Sequence, residues 1–427
     1  MTINRRNFLK LLGAGAGAGA AAGLPMISHA AEIMPNKARR VVVIGGGYGG
    51  TIAAKYIRMN DPTIEVVMIE RNKQFISCPF SNLVIGGVLK DMSSLTISYD
   101  KLAANHGIKM VYDEVSAIDP AGKTVTVSTG SISYDRLIVS PGIDFRFEEI
   151  EGYDAVETPK VIPHAWKAGE QTLLLRKQLQ AMPNGGTVVM TVPLAPYRCP
   201  PGPYERSNMI AMYLKNNKPK SKLIILDANP DVTSKGALFK KGWAKHYSEI
   251  IDYRSAKKVT QVNAKNMTVT VEGIEDIKGD VINLIPPQRA GAIAVKTGLV
   301  GPDKNWCPVN PTTFESTIHK DIHVIGDASS AGAMPKSGYS ANSEAKVCAV
   351  NVVALMNGRE TQELSGINTC YSYITDKEAV SVTGIYKVAE GKIIAVPNSG
   401  GVSPDLSELE GIYAESWIKN ILTEMST

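Results

Sequence analysis

The glycine run Gly45-Gly46-Gly47-Tyr48-Gly49-Gly50 constrains this chain more than any other stretch. It follows the apolar run Val41-Val42-Val43-Ile44 and precedes TIAAKYIRM, in which Ile52, Ala53, Tyr56 and Ile57 recur at helical spacing. Strand, glycine turn and helix in immediate succession predict the opening of a dinucleotide-binding βαβ unit. Gly45 permits the tight turn, Gly47 lets backbone approach a pyrophosphate, and Gly50 lets the helix pack on the strand. Unpaired N–H groups and the helix dipole then favour the phosphates. A second apolar run, Glu65 to Ile69, ends at Glu70, near the usual distance for a carboxylate that grips a ribose hydroxyl.

The rest of the chain repeats this scaffold without repeating its phosphate loop. A strand over Thr124–Val127 and the segment SYDRLIVSPGI, with Ser140-Pro141-Gly142 near its end, close a first domain. A helix over 165–181 and a strand over Thr187–Val192 open a second unit, whose next turn should again be glycine-rich. It reads PLAPYRCPPGPYERS instead. Prolines at 193, 196, 200, 201 and 203 remove backbone donors, and no glycine stands where a pyrophosphate must come close. The strand LIILD still ends on Asp227, so this domain is predicted to keep the scaffold and to have lost a nicotinamide dinucleotide.

Residues 281–290 lead back to the first domain, where DIHVIGDASS supplies a short strand followed by Gly326 and Asp327. An acid there is suited to accept from a ligand hydroxyl while the next helix start faces phosphates. A helix over 343–356 stops at Asn357-Gly358, and the remainder reads as strands and a last helix over 406–425. The predicted fold class is α/β. It has two Rossmann-like dinucleotide-binding domains and a C-terminal α+β interface domain, divided as 31–160, 161–288, 289–356 and 357–427, with the first and third segments forming one domain.

Residues 1–30 carry Arg5-Arg6 and Lys10, a small apolar stretch and Ser28-His29-Ala30, the pattern of a twin-arginine export signal. Beyond it no apolar run approaches the roughly 20 residues that span a bilayer. A periplasmic protein without membrane insertion is expected, in a compartment that permits disulfides. Without Arg5, Arg6 and Lys10, the remaining 43 basic and 41 acidic residues leave a net charge of +2. That balance gives no reason to expect nucleic acid or an anionic membrane surface as partner.

The five cysteines are Cys78, Cys199, Cys307, Cys348 and Cys370. None form CxxC or CxxCH, so the chain cannot attach its own c-type haem, and zinc is not expected. His319 and His323 run into a strand and would not share a helical face, so no metal site is predicted there. The residues alone leave Cys199 and Cys370 open as buried free thiols, and Glu205 open as a surface ion pair with Arg206.

GGGYGG, ISCPFSNLVIGG, RCPPGPYER, NLIPPQRAG, WCPV, HVIGDA, MPKSGYSAN and NTCYS together resemble the flavoprotein subunit of flavocytochrome c sulfide dehydrogenase. The similarity runs from about residue 39 to the C-terminus. RCPPGPYER with MPKSGYSAN is particular to that family, whereas sulfide:quinone oxidoreductases and disulfide reductases share only the glycine and GDA signatures. The resemblance implies FAD on the two signatures, covalently attached through Cys78. It implies a redox-active disulfide between Cys199 and Cys370, Glu205 as proton carrier, sulfide as substrate and a c-type cytochrome subunit as electron acceptor. Tyr339 and Trp417 are then expected at the junction of flavin and cytochrome, although Trp417 would equally serve to anchor the last helix. Cys307 and Cys348 read as core. The rival readings are a quinone-linked sulfide oxidoreductase, disfavoured by the four acids in the last helix, and a non-catalytic flavin-bearing accessory subunit.

Overall fold

The computed structural model describes residues 32–34, 39–272 and 275–427, so the export signal expected over residues 1–30 lies outside the described residues. The first domain opens with strand β1 (Arg40–Ile44), helix α1 (Gly50–Asn60), β2 (Glu65–Ile69), the short helix α2 (Ser81–Gly86), β3 (Lys109–Val111) and β4 (Arg136–Val139). The second unit holds α3 (Glu170–Ala181), β5 (Thr187–Val192), α4 (Gly202–Asn217), β6 (Lys222–Asp227), α5 (Gly236–His246), β7 (Ile251–Arg254) and β8 (Val281–Asn283). The chain then returns with β9 (Ile322–Val324) and α6 (Gly338–Met356). It finishes with β10 (Ser365–Tyr373), β11 (Ala379–Ala389), β12 (Lys392–Ala395) and α7 (Glu408–Ser426).

Two parallel sheets result, in the α/β arrangement that the sequence predicts. The first has the order β9-β4-β1-β2-β3 and the second β7-β6-β5-β8. Their central strands carry near-continuous apolar runs because both faces are covered: Val41, Val42 and Val43 are fully buried, as are Val188, Val189 and Met190. The two passages between the sheets, Ile143–Phe145 and Gln288–Ala290, pair antiparallel with each other. β10, β11 and β12 form an antiparallel layer whose first strand packs on α6 and on α4, while α7 lies against β10 and β11. That layer therefore bridges the two sheets and places residue 370 near the start of α4.

Three helix starts differ from expectation, each for a local reason. The helix expected from residue 165 begins at Glu170, because Ala165 (φ 47°) and Gly169 (φ 121°) both adopt left-handed backbone. The helix expected from residue 343 begins at Gly338, where the Ser337 hydroxyl accepts from the Ser340 N–H. The helix expected from residue 406 begins at Glu408, capped in the same way by Ser407 on the Glu410 N–H.

The opening turn depends on two glycines. Gly45 has φ 98°, and a Cβ there would lie 2.3 Å from the Ser140 carbonyl oxygen. A Cβ on Gly50 would lie 1.8 Å from the Gly45 carbonyl oxygen, so α1 can approach β1 only without one. Gly50→Ala must push backbone against backbone, and we expect it to lower unfolding free energy by about 1–3 kcal/mol. Urea denaturation measures this, and an unchanged midpoint would contradict the close-packing role.

Candidate active site

A cavity of about 1250 Å³ runs from the β1–α1 turn to the start of α4 and the bridging layer. It exceeds the roughly 300–1,000 Å³ of ordinary ligand pockets, as an extended dinucleotide requires. At one end lie Gly45, Gly46, Gly47 and Glu70. No side chain caps the first turn of α1, which leaves its N-terminus for an anion. A Cβ on Gly47 would meet only the Phe75 ring, at 3.7 Å, so backbone is open to the cavity there. The Glu70 carboxylate is pinned by the Gly46 N–H (2.8 Å) and by the backbone and side-chain N–H groups of Asn72 (2.9 and 3.0 Å).

Farther along, Gly326 and Asp327 enter from the end of β9. Asp327 Oδ1 is buried without a hydrogen-bond partner among the described residues, and burial holds its carboxyl above the usual range. An orphaned acceptor costs about 1–3 kcal/mol unless something donates to it, which a polyol hydroxyl would do. Behind it, Glu344 accepts from the Gly326 N–H (2.7 Å) and the Ser329 hydroxyl (3.3 Å), and burial raises its carboxyl to about 8. Lys336 donates to the Asp327 and Ser329 carbonyls (2.9 and 2.7 Å) and sits 3.7 Å over the Trp306 ring. The length of the cavity, the open turn and the orphaned carboxylate oxygen all fit FAD.

The other end is built of sulfur, acid and aromatic groups. Cys199, just before α4, has left-handed backbone (φ 58°), and its N–H donates to the Lys336 carbonyl (2.7 Å). Gly202 leaves its sulfur room, since a Cβ there would lie 2.9 Å from Cys199 Sγ. Cys370, on β10, lines the same stretch of wall, and the two are free thiols in side-chain contact. That contact raises Cys199 well above its ordinary value and lowers Cys370 to about 7. Cys78 also lines the cavity, with its thiol 3.5 Å from the Trp166 carbonyl oxygen.

Glu205, in the first turn of α4, faces the same space. It does not pair with Arg206 on the surface, as one reading of the sequence allowed. Glu205 takes the Asn82 side-chain N–H (2.7 Å) and the Tyr373 N–H (2.9 Å), and both Glu205 and Arg206 are buried. Arg206 instead donates to Asn82 Oδ1, Asn283 and the carbonyls of His164 and Ala165, so the Asn82 side chain stands between it and Glu205. Burial raises the Glu205 carboxyl above its usual range, which suits a group that exchanges protons near neutrality.

Aromatic rings close this end. Trp417 stacks on Tyr339 (centroids 6.2 Å apart) and on Phe80 (6.4 Å), and Tyr371 lies 6.1 Å away. Trp417 and Tyr339 both line the cavity. Cys307 and Cys348 are fully buried, and no group of three metal-ligating side chains occurs among the described residues. His323 is enclosed, with Nδ1 2.9 Å from the Thr313 carbonyl oxygen. Asn82 and Lys235, which hold Glu205 and the Cys370 strand, were not among the residues singled out from sequence. Nothing local in FSNLV or TSKGA marks them.

The second sheet lacks what a nicotinamide dinucleotide would need at the matching place. Asp227, at the end of β6, is fully buried and already holds Tyr204 and Tyr253 hydroxyls (2.8 and 2.9 Å) and the backbone and side-chain N–H groups of Asn229 (both 2.8 Å). The acid that would take a ribose hydroxyl is thus consumed internally.

A Rossmann-like cavity that ends on a contacting cysteine pair defines the class of disulfide-reductase-like flavoproteins. Residues 39–175 match the pyridine nucleotide-disulphide oxidoreductase family. Residues 172–286 match the central part of the sulfide dehydrogenase [flavocytochrome c] flavoprotein chain, and residues 363–425 match the flavocytochrome c sulphide dehydrogenase flavin-binding part. A flavoprotein chain of sulfide dehydrogenase [flavocytochrome c] from Chlorobaculum thiosulfatiphilum is 54% identical over 46 residues, which are 11% of this chain and 96% of that one. The mitochondrial sulfide:quinone oxidoreductase of Dictyostelium discoideum is 21% identical over 335 residues, covering 74% of this chain and 70% of that one. In fold, the sulfide:quinone oxidoreductase of Aquifex aeolicus superposes with a TM-score of 0.74 at 19% identity, covering 91% and 92% of the two chains. The chain belongs to the family of flavocytochrome c sulfide dehydrogenase flavoproteins.

The filled Asp227 site and the proline loop predict that NADH will not reduce the bound flavin. Anaerobic mixing followed by flavin absorbance tests this, and bleaching within seconds would contradict it.

Proposed function

We propose that this protein is a periplasmic enzyme that oxidises sulfide to sulfur or polysulfide on a Cys199–Cys370 disulfide and passes the electrons through FAD to a c-type cytochrome subunit. The observation that carries the reading is the contact of the two thiols inside the nucleotide cavity, with Glu205 beside them. Two thiols in contact close to a disulfide on losing two electrons and two protons, which gives the electrophilic sulfur that hydrosulfide attacks. Glu205 takes the proton from hydrogen sulfide or returns one to the thiolate, and Asn82 and the Tyr373 N–H fix its position. FAD, when bound, supplies an acceptor of electron pairs that hands them on singly.

Cys78 is the residue proposed to tether that flavin, in keeping with its place on the cavity wall between Ile76 and Phe80. The cytochrome reading is supported by the wall of Trp417 and Tyr339 and by the outer face of α7, where Leu409, Ile412 and Tyr413 are large apolar groups left exposed. Such a face suits a protein partner. The likeness in fold to sulfide:quinone oxidoreductase favours a quinone as the second reading. No helix among the described residues is long and apolar enough to cross a membrane. Export by the twin-arginine route rests on Arg5-Arg6 and the stretch that follows.

Changing Cys199 or Cys370 to Ser is expected to abolish flavin bleaching by sulfide while leaving the flavin bound. Glu205→Gln should slow bleaching by about 10²–10⁴-fold. The reduced wild-type protein should pass electrons to cytochrome c and not to a soluble quinone. Normal bleaching in either cysteine variant, measured by anaerobic stopped flow, would refute the disulfide route. Acid precipitation should leave the yellow colour in the pellet, and Cys78→Ala should release it to the supernatant. Colour released from the unmutated protein would contradict the tether.

A further inference from the structure

Lys235 is a buried lysine without a carboxylate in ion-pair reach among the described residues. It stands just before α5 in left-handed backbone (φ 56°), and its side chain runs past the Phe239 ring, 5.9 Å from Nζ to the centroid. Nζ donates to the Cys370 carbonyl (3.3 Å) and to the Ser372 hydroxyl (2.9 Å). A buried ammonium needs more than two neutral acceptors, because leaving water penalises its charge heavily. What it faces is the redox pair.

We infer that Lys235 is the positioning residue that holds negative charge on Cys370 when the Cys199–Cys370 pair opens, so that Cys370 leaves as thiolate and the transferred sulfur stays on Cys199. This rests on the sulfide chemistry proposed above. Hydrosulfide forms a bond to Cys199 Sγ, the Cys199–Cys370 bond breaks, and its electron pair departs on Cys370 Sγ. The hydrogen stays on the terminal sulfur of the new Cys199 persulfide. No further oxidant enters this step, since the disulfide is itself the oxidant.

The contact between the two sulfurs is the first cause of the asymmetry in the reduced pair, and the charges that each sulfur sees add to it. Cys370 faces Cys199 from the loop before α4, Glu205 from α4 and Lys235 from the start of α5, and the lysine outweighs the acid. Cys199 faces Cys370 and Glu205, with Arg198 the weaker opposing charge. Lys235 in turn faces Cys370, Glu205, Cys199 and, from α7, Glu410. The thiol of lower pKa is the better leaving group in exchange.

The test uses the reduced holoprotein, alkylated with iodoacetamide across pH and read cysteine by cysteine by peptide mass spectrometry. Cys370 should alkylate with a midpoint near pH 7, and Cys199 should react at least tenfold more slowly there. Lys235→Met should move the Cys370 midpoint up by a pH unit or more, and Lys235→Arg should restore most of it, which a purely structural role would not do. One equivalent of hydrosulfide added to the oxidised protein should place the persulfide on Cys199. A more acidic Cys199, an unmoved profile in Lys235→Met, or a persulfide on Cys370 would each overturn the inference. If sulfide gives neither a persulfide nor bleaching, the sulfide reading fails, while the alkylation profile still decides the role of Lys235.

Discussion

The site exists because the first strand of the C-terminal layer crosses the start of α4. Glu205 and Asn208, both on α4, take the N–H and carbonyl of Tyr373 at 2.9 Å each, so strand and helix are tied by side chains at successive helical turns. That tie brings positions 199 and 370 together, and with them the acid, the buried lysine and the aromatic wall. Neither sheet contains the site by itself. Loss of the crossing would leave Glu205 and Lys235 as buried charges without their surroundings, which is why stability and chemistry are coupled here.

The second sheet has a dinucleotide-domain scaffold without a free acid at its strand end. Its strands, order and buried apolar runs are those of a dinucleotide domain, and its Asp227 stands at the usual strand end. The loop after β5 is rich in prolines, and α4 turns Tyr204 inward onto Asp227. The turn after that loop holds Cys199 against the first domain's cavity. The helix start that the first sheet leaves open to an anion has, in the second, Glu205 in its first turn.

Much of this was legible in the sequence where the signal is local. Continuous apolar runs placed β1, β2, β5 and β6, and the glycine spacing placed the turn, because close contact of Gly50 with Gly45 leaves no alternative residue. Helix starts were misplaced where capping or left-handed backbone decides them, as at Ser337 and Ala165. The partnership of Cys199 and Cys370 has no local signal and came from resemblance alone. Lys235 and Asn82 were not legible, since a single lysine beside glycine or an asparagine in a helix is most often solvated. Arg206 and Glu205 are buried and meet through Asn82, a partner distant in sequence that adjacency on the helix does not reveal.

The central claim is that Cys199 and Cys370 form the bond on which sulfide acts. Peptide mapping under non-reducing conditions measures it directly, on the oxidised holoprotein before and after one equivalent of sulfide under argon. The account predicts a cross-linked peptide containing Cys199 and Cys370 that disappears as the flavin bleaches and returns on reoxidation by cytochrome c. Bleaching of the flavin while both cysteines remain free thiols throughout would contradict it.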